Sequence, residues 1–161
     1  QPDMPPNVGT ILRLGACLGV PVDIIEPCGF PFSHRGLRRA GIDYLDKVAV
    51  ARHRDWPAFE DALAARRLVL LTTAGSLPYT AFAFRPGDSL LFGQESAGVP
   101  PAVHDRAEAR LRIPMRPGLR SLNVAVAAAM VLGEALRQTG GFPDSAGPAI
   151  PDPPEGETGT P

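Results

Sequence analysis

Three segments of this 161-residue chain set polar groups and glycines beside apolar runs, a pattern able to hold a ligand. The segment RIPMRPGLRSLNVAVAAAMVLGEAL, residues 112–136, runs from an apolar stub into a loop containing Pro114, Pro117 and Gly118. It continues through Ser121 and Asn123 into a helix with no charge before Glu134. The prolines stiffen the loop, Gly118 permits unusual dihedrals, and amides at a helix N-terminus attract carboxylates and phosphates. Ser121 reads as the cap of that helix. FGQESAG, residues 92–98, follows an apolar strand, and ligands of α/β sheets collect at the carboxyl ends of strands. Glu95 there either holds the loop by accepting backbone amides or contacts a substrate; a plain turn is the simpler alternative. In NVGTILR, residues 7–13, Arg13 is the only charged residue between Met4 and Val22, and Gly9 one turn earlier leaves room for a ligand. On its own, Arg13 reads equally well as a helix arginine pointing to water. None of these loops is G-x-G-x-x-G, and no P-loop occurs, so those nucleotide folds lose support.

The elements that must position these loops follow from periodicity. Asn7 is read as the N-cap of a helix from about Val8 to Leu18, closed by Gly19. Residues 20–26 and 47–51 read as strands, with a short basic helix capped by Ser33 between them. Asp55 caps a helix to about Ala65, with Pro57 in its first turn, where a missing amide costs nothing. Leu68–Thr73 is a continuous apolar run, as in a strand buried on both faces. Residues 88–92 and 109–113 repeat the pattern, with a short helix near 102–106 between them. The last helix spans about 121–138 and ends at Gly140. Strands alternating with helices indicate an α/β domain with a mainly parallel sheet flanked by helices.

A chain with 44% hydrophobic residues supports one cored domain, assigned to residues 1–143. Residues 144–161 carry four acids and no Lys or Arg, with eight Pro or Gly in eighteen, and are expected to be disordered. Without them the charge rises from −1 to +3. Fifteen of the sixteen basic residues are Arg, which suits phosphate binding and base stacking but equally follows from genome base composition. Cys17 and Cys28 form no close pair and the three His are scattered, so neither a metal site nor a disulfide framework is expected. The apolar run Leu122–Leu136 is too short to cross a membrane, and a reduced, cytoplasmic setting is the default expectation.

Taken together, the three segments carry a resemblance. Asn7, Gly9 and Arg13 fit N-x-G-x-x-x-R; Phe92, Gly93, Glu95 and Gly98 fit F-G-x-E-x-x-G; Ile113–Asn123 fits I-P-M-x-P-x-x-R-S-L-N. In this order and spacing they resemble the motifs of the SpoU-type RNA 2'-O-methyltransferases of the SPOUT superfamily. GLRRAGIDYLD, followed by RHRDWPAF, looks like the small TrmL-type subgroup, which methylates the wobble nucleotide of certain tRNAs. The resemblance covers about residues 1–143.

The resemblance implies a fold ending in a C-terminal deep trefoil knot that binds S-adenosylmethionine. Nothing in the periodicity points to a knot, since knots are rare. Leu71, Gly93, Ile113 and Ser121 match cofactor-contacting positions, and Thr72, Gly75, Met115 and Leu122 lie close enough to be candidates. Arg13 matches the family's catalytic arginine; Asn7, Glu95, Ser121 and Asn123 match polar residues that shape the site. No metal is implied. The subgroup lacks a separate RNA-binding domain, so the tRNA anticodon loop is expected to bind across a homodimer built on the first and last helices. Arg35, Arg38, Arg39, Arg116 and Arg120 would contact phosphates, although residues 35–39 also read as a solvated basic helix face. Family members begin with a short hydrophobic strand that this chain, starting at Gln1, does not show. The expectation is that the strand was removed or left out, because losing a central strand would leave buried backbone groups unpaired. The alternatives are methylation of another tRNA position or of ribosomal RNA, and a non-catalytic RNA-binding dimer that would bind no S-adenosylmethionine.

Overall fold

The computed structural model of the chain describes residues 1–32 and 47–144. The basic helix expected after Ser33, with Arg35, Arg38 and Arg39, and the tail from residue 145 lie outside the described residues. The fold is α/β with exclusively parallel strand pairing among its named strands.

Helix α1 (Pro5–Leu18) is followed by β1 (Val22–Ile25) and β2 (Val50–His53), which pair with each other. Helix α2 (Trp56–Leu63) leads to β3 (Leu68–Leu71), β4 (Leu77–Pro78) and a single 3-10 turn at Tyr79–Ala81. Then come β5 (Ser89–Phe92), α3 (Pro101–Arg106), β6 (Ala109–Arg112) and α4 (Val124–Thr139). The larger sheet has the order β4-β6-β3-β5.

β3 is buried on both faces, as its sequence predicts. Leu68 and Leu70 pack with Phe59 and Leu63 of α2, while Val69 packs with Leu111 of β6 and Val131 of α4. All seven of these side chains are fully or almost fully shielded. A third cluster joins Val8 and Leu12 of α1 to Ile24 of β1.

Two helix starts differ from expectation. α1 begins at Pro5 with Met4 as its N-cap, and Asn7 stands inside the first turn. Pro5 and Pro6 have no N–H to satisfy, so the first amide is that of Asn7, which donates to the Met4 carbonyl at 3.1 Å. α4 begins at Val124, and its cap is Asn123 rather than Ser121: the Asn123 Oδ1 accepts the amides of Ala125 at 2.9 Å and Val126 at 3.3 Å. Asp55 caps α2 as expected, accepting from the Ala58 amide at 2.8 Å. The two-residue strand β4 has no counterpart in the sequence reading. It is too short for a periodicity to register.

β6 lies between β3 and β4, although β3 and β4 are neighbours in the chain. The connection at 72–76 therefore crosses β6 at Leu111, which pairs with Leu71 of β3 on one side and Leu77 of β4 on the other. A Cβ on Gly75 would stand 2.4 Å from the Leu111 carbonyl carbon, so only glycine lets the crossing pass this closely. The Arg112 guanidinium fastens it, donating to the Gly75 carbonyl at 3.0 Å and to that of Ser76.

Candidate active site

The carboxyl ends of β3, β5 and β6 open onto one cleft of about 290 Å³, at the lower end of the range of small-molecule pockets. Its walls come from three separate stretches: Leu71–Thr73 after β3, Phe92–Glu95 with Gly98 and Val99 after β5, and Leu111–Ala127 from β6 into α4. Leu71, Leu111, Ile113, Met115 and Leu122 supply apolar surface, while Thr72, Glu95 and Ser121 supply polar groups.

The middle wall is a tight turn. Gln94 and Gly98 exchange both backbone hydrogen bonds at 2.9 Å, which closes a three-residue loop with Glu95 near its tip. Gly98 has φ +68°, and a Cβ on Gly93 would come within 2.5 Å of the Gly98 backbone. Both glycines of F-G-x-E-x-x-G are thus required by the turn itself.

A hydrogen-bond relay ties this turn to the starts of α1 and α4. The Asn7 Nδ2 donates to the Glu95 carboxylate, and the Asn7 Oδ1 accepts from the Asn123 Nδ2 at 2.8 Å. The Asn123 Oδ1 in turn receives the first amides of α4. Asn7 is buried, and both ends of its amide are used. Glu95 does not hold the loop by accepting backbone amides: its carboxylate serves Asn7, while its own amide donates to the Asp3 carboxylate at 3.2 Å.

Of the residues expected to meet a cofactor, Leu71, Thr72, Gly93, Ile113, Met115, Ser121 and Leu122 line the cleft. Gly75 is outside the lining, itself buried where the crossing passes over β6. Glu95 and Ser121 reach the cleft; Asn7 and Asn123 stand behind it and act on it through Glu95 and the start of α4. Arg13 is exposed on α1 and is not part of the cleft lining. It lies four residues beyond buried Gly9, about 40° farther round the helix, at the border of the buried face. Arg120 lines the cleft, and Arg116 is exposed on the same loop. Thr73, Gln94, Val99 and Val124 line the cleft without having been singled out, although each adjoins a residue that was; Ala127 also lines it, one turn of α4 beyond Asn123. Among the described residues no three His, Cys, Asp or Glu side chains gather as metal ligands, and no helix is long and apolar enough to cross a membrane.

The comparisons with known proteins agree with this geometry. A tRNA (cytidine(34)-2'-O)-methyltransferase from Beijerinckia indica subsp. indica is 66% identical over 142 residues, 87% of this chain and 89% of that protein. A solved structure giving insight into the 2-OH methylation of C/U34 on tRNA superposes with a TM-score of 0.81 at 42% identity, covering 86% of this chain and 91% of that one. The SpoU methyltransferase AviRb from Streptomyces viridochromogenes, solved with its cofactor AdoMet, superposes with a TM-score of 0.77 at 27% identity, covering 86% of this chain and 57% of that one. The sequence also matches the SpoU rRNA methylase family over residues 1–133, and the chain belongs to that family.

Proposed function

We propose that this protein transfers the methyl group of S-adenosylmethionine to the 2'-hydroxyl of the wobble ribose of tRNA. The observation that carries this reading is the meeting of the 92–98 and 112–123 motifs at one cleft, with Asn7 of the first motif tied to both behind it by the Glu95–Asn7–Asn123 relay. The name and 66% identity of the Beijerinckia relative support the substrate, and the AdoMet complex of AviRb supports the donor.

The cleft residues fit such a donor. Apolar Leu71, Ile113, Met115 and Leu122 suit its carbon chain and base, and Thr72 and Ser121 offer hydroxyls in the same lining as Gly93. When bound, S-adenosylmethionine supplies a methyl group already activated by its sulfonium. The chain's own work is to hold the ribose hydroxyl in line and to stabilise the charge that develops as its proton passes to solvent water, where placement can supply much of the rate. Arg13 takes this role as a cationic fork, gripping a substrate phosphate and the developing 2'-oxyanion. A guanidinium is almost never deprotonated in proteins, so it acts as a charge and not as the base.

Phosphate contacts from Arg116 and Arg120, with Arg35, Arg38 and Arg39, would seat the anticodon loop of a cytoplasmic tRNA. The exposed apolar residues Val126 and Met130 of α4 support a homodimer, because helix faces of this kind are covered in assemblies. The placement of β6 between β3 and β4, under the crossing at 72–76, supports a chain that threads this loop as a deep trefoil knot.

The test is methyl transfer from labelled S-adenosylmethionine to total tRNA, followed by nucleotide mapping. The expected product is a 2'-O-methyl group at position 34. Label only at another tRNA position or only in ribosomal RNA would overturn the substrate, and absence of donor binding in calorimetry would overturn the chemistry.

A further inference from the structure

Asp3 belongs to none of the motifs, yet its carboxylate accepts three hydrogen bonds from the turn at the centre of the cleft. The donors are the amide of Glu95 at 3.2 Å, the amide of Ser96 at 3.2 Å and the Ser96 hydroxyl at 2.5 Å. Two consecutive backbone amides and a hydroxyl form a small nest suited to an anion. The same turn offers the Glu95 side chain to Asn7, four residues after Asp3. The amino-terminal segment thus grips one loop twice, on its backbone through Asp3 and on its side chain through Asn7. Asp3 is itself held. The Gly29 amide donates to the Pro2 carbonyl at 2.8 Å, and a Cβ on Gly29 would lie 3.1 Å from the Asp3 Cα. The Ser96 hydroxyl, followed by the backbone amides, holds the Asp3 carboxyl below its ordinary range. A neutral side chain would not match this set of donors.

We propose that Asp3 is a positioning residue, a carboxylate clasp that seats the 93–98 turn on the head of α1 so that Glu95 meets Asn7 and the turn completes its wall of the cleft. Its effect on turnover rests on the methyl-transfer reading. Its effect on the turn does not. Asp3 does not line the cleft, so it acts through Glu95 and Ser96.

The test compares wild type with Asp3→Asn and Asp3→Glu in the full chain by peptide-level hydrogen exchange and by steady-state methyl transfer to tRNA. Removing a charge-assisted acceptor is expected to speed exchange across 93–98 about tenfold, with β3 and α4 unchanged. In Asp3→Asn, kcat is expected to fall about tenfold with KM for tRNA within about twofold, and Asp3→Glu should recover part of both losses. Unchanged exchange at 93–98, or exchange raised equally throughout the domain, would overturn the clasp. Loosened exchange with unchanged kcat would overturn its positioning role. If the wild type transfers no methyl group to tRNA, the functional reading fails, while the exchange measurement still decides whether Asp3 holds the turn.

Discussion

At the scale of single residues, Asn7 is the hub. Its buried amide donates to Glu95 and accepts from Asn123, so truncation strands polar groups on two other elements. Asn7→Ala is expected to cost about 1–3 kcal/mol in urea denaturation, because it removes two hydrogen bonds, one of them to a carboxylate, although water can reach the exposed partners. The sequence marks Asn7 as important and misreads its job. Local rules see a capping residue near a helix start, while the prolines before it already begin the helix and free its side chain. The partners that claim the Asn7 side chain, Glu95 and Asn123, lie 88 and 116 residues away, and no local window contains them. The Ser121 error is local: Asn123 takes the cap two residues later. Arg13 is a sharper case. Arg13→Lys keeps the charge and loses the planar fork, so kcat/KM for methyl transfer is expected to fall about a hundredfold, at the level seen when a transition-state donor is removed. Near-full activity in that variant would exclude a bidentate role.

At the scale of elements, legibility follows burial. β3 is readable because a strand covered on both faces must be apolar throughout, and Leu68–Leu71 is. β4 owes its place to pairing with β6 and to the Arg112 hold on the crossing before it, none of which leaves a periodic trace. The docking of α4 is similarly hidden. The Gln138 side chain accepts from the Phe84 amide at 3.0 Å and donates to the Phe82 carbonyl at 3.0 Å, fixing the helix to the chain before β5. Gln138→Ala removes both bonds, together with one that Gln138 donates to Glu134 at 2.7 Å, and is expected to cost about 1–3 kcal/mol by urea denaturation. Glu134 supports the same end of α4. Hydrogen bonds from Arg137 and then Gln138 depress its carboxyl from 4.5 to about 2. A depressed carboxyl stabilises the fold fully above its unfolded value and loses that contribution as pH falls through the folded one. The stability difference between wild type and Glu134→Gln should therefore be present at pH 7, shrink below about pH 4.5 and vanish near pH 2. A difference constant from pH 7 to pH 2 would show that the carboxylate contributes nothing.

At the scale of the whole molecule, strand order and assembly are what the sequence conceals. Periodicity supplies the strands but not the insertion of β6 between β3 and β4, which is a fact of topology. Assembly is a matter of which helix face stays uncovered. Helix α4 buries Ala125, Ala128, Val131 and Leu136 and leaves Val126 50% and Met130 38% exposed, with no charge on either face before Glu134. A solvated helix face ordinarily carries charge, so this one fits a surface that a second copy covers. A single glutamate separates the two possibilities. On a free surface Met130→Glu changes stability by no more than about 0.5 kcal/mol, whereas in a closed interface it buries an unpaired carboxylate. Met130 also lies outside the cleft lining, so the variant leaves the donor site intact. Sedimentation of Met130→Glu is expected to show a folded monomer where the wild type is a dimer. Donor binding should persist, and, if the proposed dimer seats the substrate, methyl transfer to tRNA should fall at least about tenfold. A monomeric wild type, or a monomeric variant with full transfer activity, would remove the dimer from the mechanism and leave one protomer to hold its RNA alone.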